Sequence, residues 1–310
     1  MFELSTHIPN LDSLRRYDLS AYDGIYIGDY TCPRHPGNFS SDKEQLSEGV
    51  ERVKASGKKC YLSLYAAPRN SDLPWIREVL SATKGLPLDG IEIHNLGLLR
   101  LVREVMGEIP IHLGVFGNLY TDETARILKG YGVERIFPNS ELSLDEIVYL
   151  RDHTPIQVVV PLHGKIPLTI STNCFRLEHA VGEATSCEEL CKKEYWFNRE
   201  SWCLKGVGRA YLSGKDLCMI EHLPGLLRTG LRCFYIYSLG ENEEYLATIG
   251  GVYREALSRV LAGERYSAGH YLSMVKALAR IGMCNGYYFG MSGQAYLSPS
   301  VEGQEAQGIS

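Results

Sequence analysis

The segment GIEIHNLGLLRLVREVMGEIPIHLGVFGNLYTDETARILKGYGVERIFPN (residues 90–139) decides the fold. It contains three short apolar runs, GIEIHN (90–95), IHLGVFGN (111–118) and RIFPN (135–139). Between them lie two amphipathic stretches, 96–107 and 121–131, with apolar residues at helical spacing. Thr121 is a natural N-cap, and Gly107 and Gly132 stand where a helix C-terminus asks for glycine. Strand, helix, strand in this rhythm implies parallel pairing, because a parallel neighbour is reached only by a crossover long enough to be a helix.

The same alternation runs outward in both directions. Upstream strands are expected at FELSTH (2–7), GIYIG (24–28) and CYLSLYA (60–66), and downstream ones at IQVVVPLHG (156–164) and CFYIYSL (233–239). Helices are expected near 42–56, 72–84, 143–153, 216–229 and 243–262, with Ser41 or Asp42, Ser71 and Ser143 as caps and Gly57 closing the first. Eight strands suffice to close a (β/α)8 TIM-type barrel. An open doubly wound sheet is the alternative, but no glycine-rich phosphate loop follows the first strand. The reading is one barrel domain over 1–297, with a Cys-, Tyr- and Trp-containing insertion at 165–215 between strands seven and eight. The polar tail 298–310 reads as disordered.

Composition narrows the function classes. A net charge of −5 gives no overall attraction for nucleic acid, so nucleic acid is an unlikely partner. No apolar run approaches the roughly 20 residues that span a bilayer, and the first residues lack a signal peptide's pattern. A cytoplasmic protein without a membrane partner is expected. In a reducing compartment the nine cysteines point to metal binding or catalysis before disulfides. Cys60 and Cys233 lie in apolar runs and read as buried small hydrophobes.

Cys187 and Cys191 are four apart in SCEELC (186–191), a stretch that Ser186 and Glu189 open as a capping box, so both thiols share one helix face. Cys174 precedes Cys187 with twelve residues between them (C-x12-C), and Cys32 follows the second strand in GDYTCPRH (28–35). The chemistry of a barrel sits at the C-terminal ends of its strands, and both Cys32 and the insertion leave from that face. Four thiolates suit an iron–sulfur cluster or structural zinc. The spacing is irregular and contains no C-x-x-C, which suits a cluster better, but on spacing alone zinc or no metal stays open.

The residues GDYTCPRH (28–35), HGKIPLTISTNC (163–174), SCEELC (186–191), LSGKDLCMIEHLPGLLRTG (212–230) and CNGYYFGMSG (284–293) resemble the collagenase-like peptidase family U32. Within it the likeness runs to the UbiV side of the UbiU–UbiV pair of oxygen-independent ubiquinone biosynthesis. The resemblance implies a barrel and a [4Fe-4S] cluster on Cys32, Cys174, Cys187 and Cys191. It also implies a UbiU-like heterodimer partner and hydroxylation with prephenate as oxygen donor. Acceptors among such relatives are quinone-precursor rings, a ribosomal RNA cytidine and a transfer RNA uridine. RNA-acting relatives are longer, which turns the expectation here toward a small-molecule acceptor. No H-E-x-x-H and no G-x-S-x-G supports peptidase chemistry, although a peptidase and a non-catalytic iron–sulfur or zinc module remain alternatives.

Polar residues at strand ends are the candidate substrate contacts: His7, His94, Asn95, Asn118, Asn139, Glu141 and His163. Arg34 and His35, beside Cys32, add charge for an anion or for tuning the cluster. His94 follows Ile91 and Ile93, so the pleat could turn it toward the helices, and Glu141 could simply cap the helix near Ser143. Tyr195, Trp196, Phe197 and Trp202 read as aromatic cover for the cluster. Cys203, Cys218 and Cys284 are not read as ligands, and Cys218 is expected early in a helix.

Overall fold

The computed structural model describes residues 1–35, 38–39, 42–179 and 187–299. Parallel strands β1 (Glu3–Ile8), β2 (Gly24–Ile27), β3 (Lys59–Ser63), β4 (Gly90–Ile93), β5 (Ile111–Leu113), β6 (Val133–Ile136) and β7 (Gln157–Ile170) pair in sequence order. The sequence of pairings closes through β11 (Cys233–Ile236), which bonds to β7 on one side and β1 on the other. The result is an eight-stranded TIM-type barrel with helices on the outside. All eight expected strands exist. IHLGVFGN is shorter than its run suggests, because a 3-10 turn at Val115–Gly117 and left-handed Asn118 end it after Leu113.

The helices follow from apolar spacing. Leu98–Met106 buries Leu98, Leu99, Leu101, Val102 and Val105, one stripe against the barrel. Asp42 caps Lys43–Ala55, Thr121 caps Asp122–Gly130, and Ser143 forms a capping box with Glu146. Ser71 is not a cap: it lies inside a 3-10 turn, Asn70–Asp72, that feeds Leu73–Thr83. Ser41 and Ser186 lie outside the described residues, as do 300–310 of the expected disordered tail. A short helix at Leu11–Arg16 and one at Ala268–Lys276 were not expected.

The chain after β7 differs most from expectation. β7 does not stop at Gly164 but continues to Ile170. There it meets antiparallel β10 (Ala210–Cys218), followed outward by β9 (Trp202–Val207) and β8 (Tyr195–Arg199). The excursion is thus largely a small antiparallel sheet growing from a barrel strand. Cys218 ends β10 rather than opening a helix, and the following helix is only Leu223–Arg228. The alternation in AYLSGKDLC buries every second residue, and that period of two is a strand's. A last short strand, β12 (Met283–Cys284), pairs with β10.

Inside the barrel, side chains stack in layers. At the floor, Arg135 of β6 reaches across to Glu3 of β1 at 2.6 Å and donates to Gln157 at 2.7 Å. Tyr26 and His112 bond above them at 2.8 Å, with Phe137 and Tyr235 edge-on to Tyr26. Burial first, and the nearby Arg135 second, hold the His112 pKa well below the usual histidine range. Such a filled lumen leaves chemistry to the rim.

Candidate functional site

The rim is assembled by three loops and the small sheet. Gly28, at φ +104°, turns β2 out of the barrel so tightly that a Cβ would stand 2.6 Å from the Ser63 carbonyl. Asp29 then folds the next residues over itself: its Oδ1 accepts from Thr31 N at 2.7 Å, Thr31 Oγ1 at 2.6 Å and Cys32 N at 3.3 Å. Buried Asn38 donates to the Cys32 carbonyl at 3.2 Å and accepts from Asp29 N at 3.0 Å. Cys32 is thereby fixed and buried.

Cys174 precedes the helix Phe175–His179, its carbonyl accepting from Leu177 and Glu178 N. Cys187 and Cys191 begin and nearly end the helix Cys187–Lys192. The Cys191 thiol feels the charges of Cys187 and Cys174, and Cys32 feels Cys191. Four thiols, the outermost Cys32 and Cys191 being 159 positions apart in the chain, thus stand within electrostatic reach over one rim. Burial pushes both Cys32 and Cys191 up to about 11, and proximity of the thiols adds to it. Among the described residues, no three His, Cys, Asp or Glu side chains converge closely enough to hold one metal ion. A four-iron cluster takes one thiolate per iron, so its ligands surround a body rather than meet at a point. The donor set fits such a group.

Two guanidiniums that sequence reading missed flank the sulfurs. Arg176 donates to the Gly206 and Leu190 carbonyls and lies over the Tyr195 ring, and its charge favours the Cys191 thiolate. Arg209 acts likewise on Cys32. A cavity of about 250 Å³ opens beside Cys191, lined by Asp29, His35, Arg176, Lys205 and Glu241 among others.

The substrate candidates divide by position. His7 and His94 do come together: both rings contact Tyr30, at 5.1 and 4.5 Å between centroids. His94 faces the lumen, not the helices, with Nε2 3.4 Å from Glu92 Oε2. Glu92 also accepts from Ser63 Oγ at 2.5 Å. Burial opposes its ionisation, yet His94, Ser63 and His7 together hold its carboxyl below the usual glutamate range. Glu92 was missed, although the alternation in GIEIHN places it on the same face as His94. His163 turns away to the helix Glu243–Leu261, where its Nδ1 is 3.1 Å from Tyr253 Oη. Burial, then Lys165, lower its pKa to about 3.

Asn95, Asn118, Asn139 and Glu141 are loop builders at the outer edge. Asn95 accepts from Gly97 N at 2.9 Å, and Asn139 donates to Asn118 Oδ1 at 3.1 Å and accepts from Glu141 N at 2.9 Å. Glu141 receives the Tyr120 hydroxyl at 2.9 Å. The Arg34 backbone N–H reaches the Cys32 sulfur, and His35 Nδ1 lies 3.2 Å from Asp29 Oδ2. Of the aromatic cover, Trp196 packs over Lys165 and Lys205, while Trp202 is exposed. These lysines belong to a buried network in which Lys165 meets Asp216 at 2.6 Å and Lys205 meets Glu241 at 3.0 Å. It fastens the small sheet to the loop after β11.

Among known proteins, the chain is similar to an uncharacterized protease of Methanocaldococcus jannaschii, 26% identical over 93% of this chain and 73% of that one. It is similar to the tRNA hydroxylation protein P of Escherichia coli, 23% identical over 92% of this chain and 74% of that one. A collagenase of Porphyromonas gingivalis is 21% identical over 93% of this chain and 74% of its own. The family model described as peptidase family U32 matches residues 10–297, which take in every barrel strand after β1, the small sheet and all four rim cysteines. The chain belongs to peptidase family U32.

Proposed function

We propose that this chain is the iron–sulfur subunit of an oxygen-independent hydroxylation system, holding a [4Fe-4S] cluster on Cys32, Cys174, Cys187 and Cys191. The observation that carries the reading is the gathering of these four thiols over the C-terminal rim, where barrel chemistry is done. Relatives named for tRNA hydroxylation add weight to hydroxylation as the reaction class. The cluster, when bound, supplies one-electron chemistry. The chain's own residues do the rest. Asp29 and Asn38 hold the Cys32 loop in place, Arg176 and Arg209 offset thiolate charge, and Tyr30 covers the His7–Glu92–His94 group, which can hold and move protons. On the likeness to UbiV, the oxygen donor is prephenate, the partner is a UbiU-like family member in a heterodimer, and the working compartment is the cytoplasm. The acceptor class follows either the quinone-precursor branch or the RNA branch that the relatives' names represent.

Ser63, the serine beside these histidines, is not arranged as a peptidase nucleophile. Ser63 donates to Glu92, and His94 meets the same carboxylate, so no imidazole receives the serine proton. The deciding experiment is purification without oxygen, with a visible spectrum and assays of iron and acid-labile sulfide. The expected result is a brown protein with about four irons and four sulfides per chain, both lost in Cys32→Ala. A colourless protein holding one zinc, or none after reconstitution, overturns the reading.

A further inference from the structure

The turn between β9 and β10 places Gly208 and Arg209 against two ligand-bearing segments at once. Gly208, at φ +56°, comes so close to the Cys32 loop that a Cβ would stand 2.3 Å from Thr31 Oγ1 and 3.1 Å from Cys32 Cβ. The Arg209 backbone then bridges two segments: its N–H donates to Thr31 O at 3.3 Å, and its carbonyl accepts from Ser171 N at 3.0 Å. Thr31 adjoins Cys32, and Ser171 lies three residues before Cys174. The Arg209 guanidinium rests on Tyr65, donating to its hydroxyl at 2.8 Å with the ring centroid 5.6 Å away. Its charge acts on the thiols of Cys32 and Cys174, while its buried Nε has no hydrogen-bond partner among the described residues. A buried N–H left open on a cation whose charge acts on two thiols is an unfilled donor, and buried donors are rarely left so.

We propose that Arg209 is the positioning residue of the sulfur rim: it ties the Cys32 loop to the Cys174 segment and raises the reduction potential of the cluster they hold. This rests on the cluster reading above. A cluster on four thiolates is anionic and gains one more negative charge on reduction, so a fixed cation at its edge favours the reduced form. Arg176 is differently employed, since its N–H groups are spent on two carbonyls.

The test is a redox titration, followed optically and by electron paramagnetic resonance, of the full chain purified without oxygen. Wild type, R209Q, R209K and the control R69Q are compared. Arg69 bonds to Thr172 and Asn173 on the same segment, through their side chains. R209Q is expected to lower the midpoint so that the reduced-to-oxidised ratio at a fixed poise falls about tenfold, about 59 mV for a one-electron couple. R209K and R69Q are expected to stay within about threefold of wild type in that ratio, about 30 mV. An R209Q midpoint equal to wild type, or an equal shift in R69Q, overturns the proposal. Should R209Q lose its iron, a full complement in R209K supports the charge role, and an iron-free R209K with native circular dichroism overturns it. A wild-type chain without iron and sulfide defeats the underlying cluster reading instead, and is recognised before any variant is read.

Discussion

Replacing Glu3 by Gln removes the anion that balances Arg135 at the floor of the barrel. Arg135 has 6% of its side chain exposed and Glu3 has 12%, and the two meet through both guanidinium N–H groups, at 2.6 and 3.1 Å. Lys59 adds a second contact to Glu3 at 2.8 Å. Removing one partner of such a pair leaves a cation where water cannot replace the anion, at a cost of about 3–5 kcal/mol. For a chain of this length that corresponds to a fall in melting temperature of roughly 5–8 °C. The assay is urea or thermal unfolding of wild type, E3Q, R135M and the double variant. The double variant is expected to be more stable than the sum of the single losses predicts by about 2 kcal/mol, because the buried cation has gone with its partner. Iron content should be unchanged in E3Q, since the floor is remote from the sulfurs. An E3Q variant within about 1 kcal/mol of wild type, or strictly additive single losses, would refute the buried-pair argument.

Three further outcomes follow from the rim. Gly208→Ala forces a side chain into a left-handed backbone against Thr31, and should cost about 1–3 kcal/mol and speed proteolysis between residues 171 and 209. Asp216→Asn leaves the 3.3 Å contact to Glu241 as the ion pair of Lys165 among the described residues, and should lower stability in urea by about 3 kcal/mol, an effect that Lys165→Met in the same chain partly reverses. Glu92 has a folded pKa below its unfolded one, so the unfolded chain takes up the proton first as pH falls. Its contribution is complete above the ordinary glutamate pKa of about 4.3 and is lost as pH drops through the folded value, so Glu92→Gln should flatten the acid limb of the stability–pH curve. An unchanged acid limb would remove Glu92 from the set of groups that couple folding to pH.

What was legible in the sequence was whatever depends on local periodicity. All eight barrel strands lie where short apolar runs bounded by glycine or polar caps place them, because a strand buried on the helix side declares itself in four or five residues. The small sheet was not legible for the same reason inverted. In β10, AYLSGKDLC carries a glycine, a lysine and an aspartate, and only the tertiary partners Lys165 and Glu241 make such a strand tolerable in the interior. Glu92 was visible in GIEIHN as an inward neighbour of His94 but was passed over, since a lone carboxylate in an apolar run gives no sign of its partner. Arg176 and Arg209 lie outside every motif. Their role exists only once the loops are folded together, and no spacing along the chain encodes that.

The distribution of satisfied polar groups along the barrel axis adds to the rim reading. At the floor, Arg135 meets Glu3, Gln157, Tyr26 and Tyr61, all within hydrogen-bond distance. That layer is closed on itself and reads as stability. At the roof, His7 Nδ1 and Arg209 Nε are buried without hydrogen-bond partners among the described residues, and so is Asp216 Oδ2 at the root of the small sheet. Each such orphan costs about 1–3 kcal/mol if nothing else approaches it. Inside the lumen, then, the Arg135 layer is paired at the floor, while an imidazole nitrogen and a guanidinium N–H stay unpaired toward the roof among the described residues. Stability alone gives no reason to leave them so: His7 Nε2 faces the Gly28 carbonyl, so Nδ1 is left an acceptor, and a ligand offering a donor to it and an acceptor to Arg209 Nε would satisfy both. These two open groups stand on β1 and on the turn beside the Cys32 loop, on either side of the rim where the cysteine-bearing segments meet.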